Sequence, residues 1–124
     1  MGKYIDVTST IQVIGNIFKN PKILDNDNYN FNEEDFPIEF HKIIFGSIYN
    51  LYQLGVNVID IKTIEDYLSQ RPKSFAIYKN NKGQEYLLKI AENIQFSTFD
   101  YYYKRIKKMT LLRMYDNIGF DVSW

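Results

Sequence analysis

The chain has no cysteine. Disulfides and thiolate metal sites are therefore excluded, and a reducing, cytoplasmic setting is expected. Its single histidine, His41, has no second imidazole and no thiol with which to share a metal. A helical histidine satisfied by its neighbours is the expected role. No apolar run reaches the roughly 20 residues of a membrane span, and the polar opening MGKYIDVTST is no signal peptide. Phosphate-loop and dinucleotide glycine patterns are both missing, so neither kind of nucleotide site is expected. The run Glu33-Glu34-Asp35 lacks the spacing of a calcium loop and reads as an acidic first turn. Serines occur without a base to activate them. An enzyme is not expected from this chain, and no cofactor or metal is assigned to it.

One-sided charge is also lacking in the total. Fifteen bases balance fifteen acids, which argues against a chain that binds nucleic acid with its whole surface. The distribution is less even. Asp25 to Glu39 holds six acids and no base, while Tyr101 to Tyr115 holds five bases and no acid. Such blocks are usually solvated faces and less often docking surfaces.

What is present is helical periodicity. In Ile38 to Gly55, residues Phe40, Ile43, Ile44, Ser47, Ile48, Leu51 and Tyr52 recur at one-face spacing, with Phe45, Tyr49 and Leu54 widening the apolar girth. Pro37 suits a helix start and Gly55 a left-handed stop. This segment is the expected central helix of a small all-α domain, a compact bundle of five to six helices; 124 residues suffice for one domain with its own core.

Around it, residues 1–8 read as a tail. Ser9 and Gln12 fit a capping box opening a helix with Ile11, Ile14 and Phe18 inward. Gly15 inside that helix points to a close helix contact. Pro21 to Leu24 reads as a short turn, Asp25 to Asn32 as a polar loop, and Glu33 to Phe36 as a turn with Phe36 inward. Asp60 is placed to cap a helix from Ile61 to Ser69. Arg71 to Lys82 is irregular, and Ser74 to Tyr78 suits a short strand. A helix from Gln84 to Ile94 follows, with Leu87, Leu88, Ala91 and Ile94 as its buried edge. Ser97, with Asp100 three residues on, is expected to cap a long last helix.

That last helix carries Phe99, Tyr102, Tyr103, Ile106, Met109 and Leu112 at near-heptad intervals, a narrow stripe suited to a helix-on-helix seam. Tyrosines interleave with Lys104, Arg105, Lys107 and Lys108, a composition also compatible with single-strand stacking. The domain plan is a head over 1–96 and an arm over 97–124.

The order of these signals resembles the N-terminal domain of DnaB-type replicative DNA helicases. The resemblance rests on Val13-Ile14-Gly15-Asn16-Ile17-Phe18-Lys19-Asn20-Pro21, then Asp35-Phe36 and His41-Lys42-Ile43-Ile44-Phe45 with Ile48, Leu51 and Gly55. Val58 to Ile64, Gly83-Gln84-Glu85-Tyr86-Leu87, Ala91-Glu92-Asn93 and Tyr102-Tyr103-Lys104-Arg105-Ile106 through Leu111-Leu112-Arg113 continue it. It covers about residues 9 to 118. Lys82 stands where the family usually has a glycine, and Pro72 to Lys82 is altered. The resemblance implies a non-catalytic collar domain of a hexameric helicase, with ATP and magnesium confined to a separate helicase domain absent here. It implies self-association, docking of primase and helicase loader, and only indirect DNA contact. The last helix would be the first arm of a hairpin in a truncated domain of a longer chain. Phe99, Tyr102, Ile106, Met109 and Leu112 would form its seam, and Lys104, Arg105, Lys107 and Lys108 are candidates for partner or DNA contact. The alternative is a stand-alone helical DNA-binding or adaptor protein that uses the basic last helix directly.

Overall fold

The computed structural model describes residues 4–118. Among these the chain is all-helical, with six α-helices and no strand. They are α1 (Val7–Lys19), α2 (Glu39–Gln53), α3 (Ile61–Ser69), α4 (Pro72–Asn80), α5 (Gly83–Glu92) and α6 (Phe99–Asn117), with single 3-10 turns at Pro21–Asp25, Glu33–Asp35 and Phe96–Thr98. Helix α1 lies between α5 and α6, and α2 packs on α3 and α4. One core joins them: Val13, Ile14 and Ile17 from α1 meet Phe40, Ile44 and Ile48 from α2, with Ile64, Leu87, Phe99 and Ile106 closing the sides.

Helix α2 takes the central place its periodicity predicts. Its C-terminus is a Schellman cap. The Gly55 N–H donates to the Tyr52 carbonyl and the Val56 N–H to that of Leu51, while Gly55 adopts φ +88°. The helix is not apolar all round, however. Leu54 is 75% exposed and Tyr49 41%, and only Phe45 of the three flanking residues is buried.

The start of α1 differs from the expected capping box. Asp6 is the cap, its carboxylate accepting from the Ser9 N–H at 3.0 Å. A carboxylate is the stronger acceptor here, because Arg105 also donates to it at 3.0 Å. Burial pushes the Asp6 carboxyl up, but the Ser9 hydrogen bonds and the Arg105 guanidinium outweigh it and hold it below the usual range. Gln12 is freed for a longer reach. Its side chain donates to the Asn93 carbonyl and accepts from the Gln95 N–H, tying α1 to the link before α6. Gly15 does mark a close approach: a Cβ there would stand 2.5 Å from Ile94 Cγ2 and 3.1 Å from the Ile90 carbonyl.

Residues 74–78, expected as a strand, lie inside α4. Pro72 sits in the first turn, where it lacks nothing a helix needs. Phe75 and Tyr78, three apart, turn one face inward, and Tyr78 donates from its hydroxyl to Glu65 at 2.9 Å. A five-residue apolar run fits either period, and tertiary packing decides it. Asp60 caps α3 as expected, accepting from the Thr63 N–H at 2.9 Å. In α5 the inward residues are Leu87 and Ile90, and Leu88 points out at 51% exposure. Ser97 is not the cap of α6; it lies within the 3-10 turn, and Thr98 takes the cap position.

His41 is buried beside the touching rings of Phe40 and Tyr86, both with centroids 5.9 Å away. Burial depresses its pKa below 6.5. The unfolded chain therefore binds the extra proton first, and stability falls as pH drops below about 6.5. The carboxylates with lowered values, Asp6, Asp60 and Asp100, act only further down, below about 3.8. Thermal unfolding followed between about pH 7 and pH 5 should show a declining Tm that the His41→Gln variant largely loses. An equal decline in both would remove His41 as its source.

Candidate interaction surface on the last helix

Helix α6 is the element that the sequence reading singles out, and its surroundings decide what each face can do. Its inner face is used within the chain. Phe99 and Ile106 belong to the common core, and Leu112 is buried outside that cluster. Tyr102, Tyr103 and Met109 are half-buried. Two aromatics of the polar loop, Tyr29 and Phe31, act as the adhesive. Tyr29 meets Phe99 and Tyr103 edge-on at 4.9 and 4.7 Å, and Phe31 lies 5.3 Å from Tyr103 and 5.6 Å from Phe45 of α2. Tyr103 completes the attachment, its oxygen accepting from the Asn30 N–H at 2.9 Å and donating to the Asn30 carbonyl at 3.2 Å. A tyrosine held this way offers no free face for a nucleobase.

The opposite charges of the two sequence blocks meet inside the molecule. Asp35 is 2% exposed. Its carboxylate accepts from the Lys107 ammonium at 2.8 Å, the Thr110 hydroxyl at 2.7 Å and the Asn32 N–H at 3.0 Å. Arg113 adds donation to the carbonyls of Glu34 and Tyr4. Arg105 is paired with Asp6, and Lys104 with Asp100 at 2.9 Å on the surface. Of the four candidate contact cations, only Lys108 has no carboxylate within 4 Å among the described residues. Both the acidic loop and the basic helix thus serve first as halves of one latch. Sequence reasoning registered the two blocks but missed Asp35 as the residue that joins them. The available signal was Asp35 sitting between Asn32 and the buried Phe36.

The outer face of α6 is different. Tyr101, Lys104, Lys108, Leu111, Tyr115 and Ile118 follow one another alternately three and four residues apart, the spacing of a helix seam. Tyr101 is 60% exposed, Leu111 48% and Ile118 67%, with Met114 beside them at 53%. This is an apolar stripe with two cations set into its first half. Among the described residues, no group of three or more His, Cys, Asp or Glu side chains could hold a metal. Among the described residues, no helix is long and apolar enough to cross a membrane.

The described residues form a small helical domain whose long last helix turns an apolar stripe outward, a kind of patch that commonly marks an interaction surface. The sequence matches the DnaB-like helicase N terminal domain over residues 6–108, and the chain belongs to that family. It is also 42% identical, over 119 residues, to the SPbeta prophage-derived uncharacterized protein YorI of Bacillus subtilis (strain 168). That alignment takes in 95% of this chain and 24% of the prophage protein, so the chain spans about a quarter of that relative's length. No solved structure matches it.

Proposed function

We propose that this chain acts as a collar domain of a ring-shaped replicative helicase, performing no chemistry itself and holding subunits in register. The observation that carries the reading is the outward stripe of α6 in a chain of this family. Tyr102 and Met109 at the edge of the buried face, with Leu111 and Ile118 outside, would contact a second helix. Phe99, Ile106 and Leu112 would act indirectly, by fixing α6 on its own head. ATP and magnesium would be handled by a separate helicase domain, and primase and a helicase loader would meet the collar's surface. DNA would be touched only through the assembled ring. The DNA-binding adaptor reading is weaker, because Lys104, Arg105 and Lys107 already have carboxylate partners.

Light scattering on this chain, and on the chain extended through a second hairpin arm, tests the proposal. A monomer or weak dimer is expected for the first and a larger assembly for the second. Leu111→Asp with Ile118→Asp should then return the extended chain to monomers while leaving the melting curve of the shorter, unassembled chain unchanged. Identical monomers for both lengths would count against the collar role.

A further inference from the structure

Helix α6 loses its grip on the head near its end. Leu112 is its last buried residue and Arg113 its last half-buried one, and residues 114–118 are all exposed. Two positions along a helix turn a side chain by about 200°, so Arg113 faces the head almost directly behind Leu111 of the outer stripe. Its guanidinium joins separate pieces of the chain. It donates to the carbonyl of Tyr4, in the segment before α1, and at 2.6 Å to that of Glu34, in the 3-10 turn before α2. A third bond, at 3.1 Å, goes to the Thr110 oxygen one turn back on its own helix.

Unlike Arg105 and Lys107, this cation has no carboxylate within 4 Å among the described residues. Burial pushes its pKa down, and the charge of Asp35 opposes that shift. Desolvating a cation is costly, and carbonyl bonds return only part of the cost. What a planar fork adds is direction. Its two arms reach segments 109 and 79 residues away in sequence, fixing an angle that one contact would leave free. The rest of α6 is attached without it. Phe99 and Ile106 sit in the common core, Arg105 pairs with Asp6, and Lys107 and Thr110 hold Asp35. All of these precede residue 111. Beyond them the helix has Leu112, buried outside the common cluster, and the Arg113 fork. The apolar half of the stripe, Leu111, Met114 and Ile118, begins where the other attachments end.

We infer that Arg113 is a positioning residue for the outer stripe: by clamping the Tyr4 and Glu34 carbonyls it sets the direction in which Leu111, Met114 and Ile118 leave the head. The half of the stripe that carries Lys104 and Lys108 is aimed by the core and needs no such clamp. What the stripe then meets rests on the collar reading; that the fork aims it does not. A closed ring requires the same angle at every subunit contact, so an arm of fixed direction is what such a surface needs.

The chain has no cysteine, so two introduced ones carry nitroxide labels without ambiguity, and pulsed dipolar spectroscopy reads the distance between them. Asn117→Cys, at the end of α6, is paired with Lys73→Cys, exposed on α4. Lys104→Cys with Lys73→Cys is the reference pair for the first half of α6. Arg113→Gln should roughly double the width of the first distance distribution. The reference pair should stay as it was, and the circular dichroism melt should stay close to the parent's. Arg113→Lys, which keeps the charge without the fork, should broaden it less. In the chain extended through a second hairpin arm, Arg113→Gln should weaken assembly about tenfold, through lost preorganisation. An unchanged width at residue 117, or equal broadening of both pairs, would overturn the inference. So would a large fall in the melt, which would make the guanidinium a support of the fold alone, or full assembly of the extended Arg113→Gln chain. An extended parent chain that stays monomeric would remove the collar reading only, and the distances would still decide the role of Arg113.

Discussion

Replacing Asp35 with alanine should destabilise the domain by about 3 kcal/mol, the largest effect expected of any polar substitution here. The carboxylate is 2% exposed and receives three donors. Its removal takes one acceptor from the Thr110 hydroxyl, itself 7% exposed, and leaves the Asn32 N–H without its carboxylate partner. It also leaves the Lys107 ammonium, whose side chain is 31% accessible, without its counter-charge. That partial access keeps the expected cost at the low end for a broken buried pair. Thr110 retains its hydrogen bond to the Ile106 carbonyl at 2.9 Å, which limits the loss further. Urea unfolding should show a lower midpoint at unchanged slope. The Asp35→Asn variant keeps one acceptor oxygen, and so either the Thr110 or the Asn32 bond but not both, and should fall between the parent and Asp35→Ala. A midpoint for Asp35→Ala within error of the parent would mean that the latch contributes no net stability.

Gly83→Ala should cost about 2 kcal/mol, for a steric reason. A Cβ at this position would stand 2.2, 2.3 and 2.6 Å from three ring atoms of Tyr78. No flexible tip can yield there: Tyr78 is 1% exposed and its hydroxyl is tied to Glu65. Either the ring leaves its place or α4 and α5 separate, and overpacking of this kind costs about 3 kcal/mol. The usual benefit of alanine over glycine in a helix, about 1 kcal/mol, offsets only part of it. Thermal unfolding checks the size, and a Tyr78→Ala/Gly83→Ala double variant checks the cause. If the clash is responsible, the two losses will be clearly less than additive.

Much of the fold could be read directly. The period of Phe40 to Tyr52, the stop at Gly55, the Asp60 cap and the close approach at Gly15 are local signals, and each has one dominant physical reading. The misses share a different cause, competition settled at long range. Ser9 is as good a cap as Asp6 until Arg105, 99 residues later in sequence, fixes the carboxylate. Ser74 to Tyr78 is too short to declare its period, and only Glu65 and Gly83 define where the Tyr78 ring must lie. Leu88 looks like a core residue because it adjoins Leu87, yet one position along a helix turns the side chain by about 100°. On the candidate surface, composition drew attention to α6. It could not reveal that Lys107, Arg105 and Tyr103 are spent on the loop and on α1. Charge counts carry no information on who stands opposite whom.

The ring contacts of Tyr29 and Phe31, together with the Asn30–Tyr103 and Asp35–Lys107 bonds, make the segment between α1 and α2 depend on a helix that begins some 70 residues later. Amide hydrogens of residues 29–36 should therefore exchange in step with those of α6 rather than at the pace of a surface loop. A ribosome emitting this chain would hold the segment without these partners until α6 had emerged, and the first ninety-odd residues alone would leave the side of the core closed by Phe99 and Ile106 open.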